Sequence, residues 1–60
     1  RKFVVRKNIK KNGKLNRLNI KTAITYKKGG ITPNQYYKIL NKRVIKNLEK
    51  GHILSLKDLK

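Results

Sequence analysis

Two ten-residue stretches near opposite ends of this 60-residue chain follow one pattern, KNIKKNGKLN at residues 7–16 and KNLEKGHILS at residues 46–55. Laid over each other without a gap, Lys7-Asn8-Ile9 falls on Lys46-Asn47-Leu48, Lys11 on Lys50, Leu15 on Leu54 and Asn16 on Ser55. At the same offset Asn19 falls on Asp58 and Ile20 on Leu59. Asn12-Gly13 and Gly51-His52 place a turn at almost the same point of each copy. Chance in a lysine-rich chain would match lysines. This match also keeps the apolar positions, and the polar residues at fixed distances from them, so it predicts a repeated structural unit. Two such units related by an approximate twofold would bury Val5, Ile9, Leu15 and Ile20 against Val44, Leu48, Leu54 and Leu59.

Local patterns fill in the units. Phe3-Val4-Val5 is a β-branched and aromatic run whose alternation continues to Ile9, which predicts a strand. Lys11 to Lys14 is a turn. Leu15, Leu18 and Ile20 suit a short helical turn or an irregular buried crossing, with Asn16 as its N-cap. Thr22 to Tyr26 has strand composition, and Lys27-Lys28-Gly29-Gly30 is a loop. Ile31 is expected to be buried. Thr32 caps a helix with Pro33 at its first position and Gln35 completing a capping box. Tyr36, Ile39 and Leu40 share one face of that helix of about two turns, which Asn41 ends. Val44-Ile45 starts a further strand that stops at Leu48. Glu49 to His52 is the second turn, and Ile53-Leu54 the buried return. Ser55 with Asp58 caps a single helical turn over Leu56 to Leu59. No element is long enough to stand alone. The expectation is a small β-rich α+β domain over residues 1–60, built of very short strands and single-turn helices.

Composition narrows the function. Sixty residues make at most one small core, and with no cysteine neither a disulfide nor a thiolate metal site supports it. The lone His52, with only Glu49 and Asp58 as other strong ligands, cannot assemble a metal site. No apolar run has the roughly 20 residues of a membrane span, and the strand-like start does not resemble a secretory leader. The absent initiator methionine suggests an excised domain or a processed product. Lys and Arg total 18 against 2 acids, a net charge of +16, which points to nucleic acid or another polyanion. However, 14 of the 18 cations are lysine, not the arginine fork that favours base and phosphate reading. Asn and Ile, seven of each, accompany the lysines as an AT-rich coding sequence would produce. That bias leaves the scarcity of glutamate unexplained.

Chemistry-bearing residues are few. Thr32 and Ser55 are caps without a histidine base beside them. Glu49 and Asp58 sit in a turn and a cap, and do not pair for acid–base work. His52 is expected to be an exposed turn residue. Tyr36 and Tyr37 fit core and helix surface better than a stacking platform, because they do not interleave with the cations. By this reading the 60 residues catalyse nothing on their own.

Two half-units joined through Gly30-Ile31-Thr32-Pro33, followed by Tyr36-Tyr37, Leu40 and Lys42, resemble the SAF or antifreeze-like domain. They resemble most the C-terminal SAF domain of the sialic acid (N-acetylneuraminate) synthases, whose fold type III antifreeze proteins share. The resemblance runs from Phe3 to Leu59, with Asn41 where the family has glycine. The run Ile45-x-x-Leu48-x-Lys50-Gly51-x-x-Leu54 matches the second unit. The resemblance implies a β-clip fold and a cytoplasmic parent transferase of carbohydrate biosynthesis. That parent condenses phosphoenolpyruvate with N-acetylmannosamine, or its 6-phosphate, at a divalent metal in a preceding TIM barrel, with no cofactor in this domain. It also implies a swapped homodimer in which this domain caps the partner subunit's barrel. The family's substrate-contacting arginine falls near Tyr26, so Tyr26, Lys27 and Lys28 are the substrate-binding candidates.

Three functions follow for testing. A lid domain requires a barrel encoded before Arg1. A free-standing nucleic-acid or polyanion binder would lose affinity steeply with salt. An ice-binding protein would show thermal hysteresis, although +16 leaves little room for its flat, weakly charged face.

Overall fold

A computed structural model describes all 60 residues. Strand β1 (Lys2–Val5) pairs antiparallel with β2 (Ile20–Ala23), in a register that sets Phe3 opposite Thr22 and Val5 opposite Ile20. A 3₁₀ turn at Pro33–Gln35 runs into the one-turn helix α1 (Tyr36–Ile39), and a second 3₁₀ turn covers Leu56–Asp58. This is a small β-rich α+β domain with a two-stranded sheet and one short helix.

Much of the remaining backbone pairing joins the two halves, and the pattern within and between them is symmetric. Shifting residue numbers by 39, the offset from Lys7 to Lys46, carries one set of bonds onto the other. The Val5 N–H donates to the His52 carbonyl at 2.8 Å, and its counterpart Val44 donates to Gly13 at 3.0 Å. Leu54 donates to Phe3 at 3.0 Å, and Leu15 to Lys42 at 2.8 Å. Arg6 donates to Asn19 at 2.8 Å, and Ile45 to Asp58 at 2.9 Å. On the axis itself, Ile9 and Leu48 exchange two hydrogen bonds of 2.8 Å each. The turns match as well: Asn12 and Gly51 both have positive φ, 71° and 92°. The repeat in the sequence is a pseudo-twofold in the backbone.

Side chains reinforce it. Asn8 Oδ1 accepts the Lys50 N–H at 2.8 Å, and Asn47 Oδ1 accepts the Lys11 N–H at 2.7 Å. Each asparagine thus satisfies a turn amide in the opposite unit. Asn8→Ala and Asn47→Ala should each cost about 1 kcal/mol, the usual worth of such a bond. Urea unfolding would show this as two nearly equal losses; a gap above about 1 kcal/mol would mean that the turns are not equivalent.

The core joins both halves: Phe3, Val5, Ile9, Leu15, Ile20, Ile31, Ile39, Val44, Leu48 and Leu54, with Tyr36 and Leu59 packed against it half-buried. Seven of the eight residues expected from the repeat are in that core, and Leu59 lies at its edge. Phe3, Ile31 and Ile39 complete it. The helix start is as expected, with the Gln35 Oε1 accepting the Thr32 N–H at 3.1 Å. Asn41 follows α1 with φ of 70°, a left-handed residue that stops the helix.

Four details differ from the sequence reading. The second strand lies at Ile20–Ala23, not Thr22 to Tyr26, because β1 ends its pairing at Lys2 and leaves nothing for later residues to bond. Ile24 is accordingly 70% exposed. Leu18 is 62% exposed: Asn16 does cap its turn, accepting the Leu18 N–H at 2.8 Å, and the turn lifts Leu18 outward. Residues Val44 to Leu48 form isolated bridges, to Leu59 and to Ile9, in place of a continuous strand. Finally, His52 is not a free turn residue.

Candidate functional site

Beyond β2 the chain enters the loop that carries Tyr26, Lys27 and Lys28. Thr25 Oγ1 accepts the Lys27 N–H at 3.2 Å and bends the loop back. Gly30 then anchors it with φ of 86°, a conformation that favours glycine. A Cβ there would lie 3.2 Å from Ile53 Cγ2 and 3.5 Å from the Leu54 carbonyl, so the loop base sits against the return of the second unit. Ile31 locks this arrangement. It is fully buried, donates to Leu54 at 3.1 Å and accepts from Phe3 at 2.9 Å.

That docking brings Lys27 and Lys28 beside the second turn, where they border an open cleft of about 400 Å³. Lys57, Ser55, Ile53, His52, Gly30 and Gly51 complete its lining. Tyr26 does not line it and is 98% exposed. The structure therefore brings two of the three candidate residues together and leaves the third outside. Sequence reasoning missed Lys57, His52 and Ser55, which come from a segment nearly 30 residues away. The only trace of this approach in the sequence was the Gly29-Gly30 pair.

Behind the cleft lies a buried carboxylate. Asp58 is 1% exposed, and its Oδ2 accepts the Ser55 N–H at 3.0 Å, as the cap pattern predicts. The same oxygen lies 2.8 Å from His52 Nε2 and 3.3 Å from Ser55 Oγ. His52 is thus half-buried and held by Asp58, against its expected free exposure. The two acids do remain apart: Glu49 is exposed in its turn. Burial disfavours the charged form of Asp58, but the His52 and Ser55 hydrogen bonds and the charges of His52 and Lys46 outweigh it. Together they hold the carboxyl below its ordinary value. Lys46 Nζ stands 3.8 Å from Oδ1, which has no hydrogen-bond partner.

Serine, histidine and aspartate meet here without forming a hydrolytic triad. A triad needs the imidazole between hydroxyl and carboxylate, whereas here Ser55 and His52 both address one Asp58 oxygen. What the geometry offers is electrostatic. Three lysines face an open cleft whose one nearby carboxylate is buried and already compensated, so the cleft attracts anions. No three His, Cys, Asp or Glu side chains stand together as a metal site would require. No helix is long and apolar enough to cross a membrane. Neither the protein-family models nor the curated proteins contain a match to this chain.

Proposed function

We propose that this chain is the substrate-capping accessory domain of an enzyme of the sialic acid synthase type. Such an enzyme condenses phosphoenolpyruvate with N-acetylmannosamine or its 6-phosphate. In this reading the fold is the SAF β-clip, and the domain lies over the TIM barrel of a second subunit in a swapped homodimer. Lys27 and Lys28 then help hold the anionic or sugar substrate at the barrel mouth. The divalent metal of the reaction belongs to the barrel.

The observation that carries the reading is the pairing of two strand–turn–cap units about a pseudo-twofold, with the Gly30-to-Pro33 segment wedged between them. Two local features support it. Asn41, at the family's glycine position, has the left-handed conformation that explains a glycine there. The loop that holds the family's substrate contact presents cations to an open cleft. Tyr26 at the arginine position removes a bidentate donor, and lysine supplies charge without that fork.

The reading frame upstream of the Arg1 codon is the first test, since a start codon or a stop there would exclude a preceding barrel. The second is activity of the full-length product. Lys27→Ala with Lys28→Ala should raise KM for the amino sugar about tenfold and change kcat little, as loss of uniform binding does. An unchanged KM would remove these lysines from the substrate site.

A further inference from the structure

We propose that the face around the pseudo-twofold axis binds the phosphate backbone of duplex nucleic acid without reading its sequence. The inference is independent of the capping role and uses a different surface. The Ile9–Leu48 hydrogen bonds and the two asparagine contacts hold the turns of the two units side by side. Lys7, Lys10 and Lys11, leading into one turn, and Lys46 and Lys50, leading into the other, are all exposed. Glu49 is the one exposed acid against them, because Asp58 is buried and compensated. A depression of about 250 Å³ crosses the axis, lined in part by Asn8, Lys10, Asn47 and Glu49.

Like charges brought together by a fixed backbone repel, and a polyanion relieves that repulsion while releasing its own counterions. No tyrosine or phenylalanine belongs to these two turns, so base stacking contributes nothing and the single-strand mode is disfavoured. The free cations of these turns are lysines, which give phosphate contact and no base readout, and Arg43 beside them is held on the Asn12 carbonyl at 2.8 Å. Ile9 and Leu48 point into the core, leaving no apolar side chain on the axis to enter a lipid surface. The domain is 27 Å along its longest axis, so it covers at most about 8 base pairs of duplex.

The test is fluorescence anisotropy of the 60-residue chain with a labelled duplex of about 12 base pairs, from 50 to 200 mM salt. One variant changes Lys7, Lys10, Lys11 and Lys50 to Gln; Lys46 is kept because it faces Asp58. A control of equal charge changes Arg17, Lys21, Lys38 and Lys42 to Gln. The first variant should lose at least about 30-fold in affinity at low salt and flatten the salt slope by about 3 to 4, against less than about 3-fold for the control. Glu49→Lys, which removes nothing from the core, should tighten binding and steepen the slope by about 0.9. Circular dichroism confirms that each variant is folded. Equal losses in the two variants would reduce the effect to net charge and overturn the proposal. So would absence of binding at 50 mM salt, no gain from Glu49→Lys, or binding to phosphatidylglycerol vesicles that depends on the four lysines when duplex binding does not.

Discussion

Leu15→Ala and Leu54→Ala should each remove about 3 kcal/mol of folding free energy, and by nearly equal amounts. Both leucines are fully buried, and they occupy equivalent positions in the two units. Truncation loses the transfer free energy of three carbons and leaves a cavity that the surrounding side chains fill only in part, costing about 2–5 kcal/mol. A domain of this size has roughly 3–9 kcal/mol in total, so either variant should be substantially unfolded near 37 °C. Thermal and urea unfolding followed by circular dichroism would measure both. A large loss from one leucine and a small loss from the other would refute their equivalence.

Removing the buried carboxylate is the second large effect. Asp58→Ala removes the acceptor shared by His52 and the Ser55 amide, and the charge that faces Lys46. The cations left behind are partly exposed, so the cost is that of a lost cap and of an amide without its acceptor, about 1–3 kcal/mol. The pH dependence has a definite sign. The folded pKa lies below its ordinary value, so the unfolded chain binds the proton more readily. Asp58 therefore stabilises the fold fully above the unfolded pKa, near 3.9, and the contribution is lost as pH falls through the folded value. Asp58→Asn should abolish most of that acid-side loss while costing less at pH 7 than alanine. Its counterpart, Asn19, shows why: the Asn19 amide donates to the Lys14 carbonyl at 2.9 Å. The Ile53 carbonyl stands in the equivalent place and receives no backbone hydrogen bond. Urea unfolding from pH 2.5 to 7 decides it. An Asp58→Asn curve parallel to the wild type across that range would show that the acid sensitivity lies elsewhere.

The repeat was readable because a duplicated unit must keep its inward-facing side chains. Ile9 and Leu48, Leu15 and Leu54, and the asparagines that bond across the axis all hold their offsets. The caps were readable for a local reason: Thr32 with Gln35, and Ser55 with Asp58, satisfy amides three residues away. Strand extent was not, since Thr22 to Tyr26 has strand composition but its later half lacks a partner. Partnership is a tertiary property. The site was legible only in its loop. Lys57 and His52 reach the cleft because Gly30 docks on Ile53, a close approach that no spacing encodes. His52 read as free because its equivalent, Gly13, has no side chain to show what that position faces.

The bonds between the units also set how this chain must find its structure. Val5 with His52, Ile9 with Leu48 and Leu15 with Lys42 each close a loop of tens of residues before any of them is rewarded. Neither unit has a sheet or helix that persists alone, so there is no local nucleus to grow from. Such a topology places folding in the slow range of small domains, milliseconds to seconds, despite the short chain. In such a topology we expect the meeting of the two turns at Ile9 and Leu48 to limit the rate. Substitutions at those two residues should slow folding by similar factors, while changes in the Tyr26–Lys28 loop should act on unfolding or on nothing.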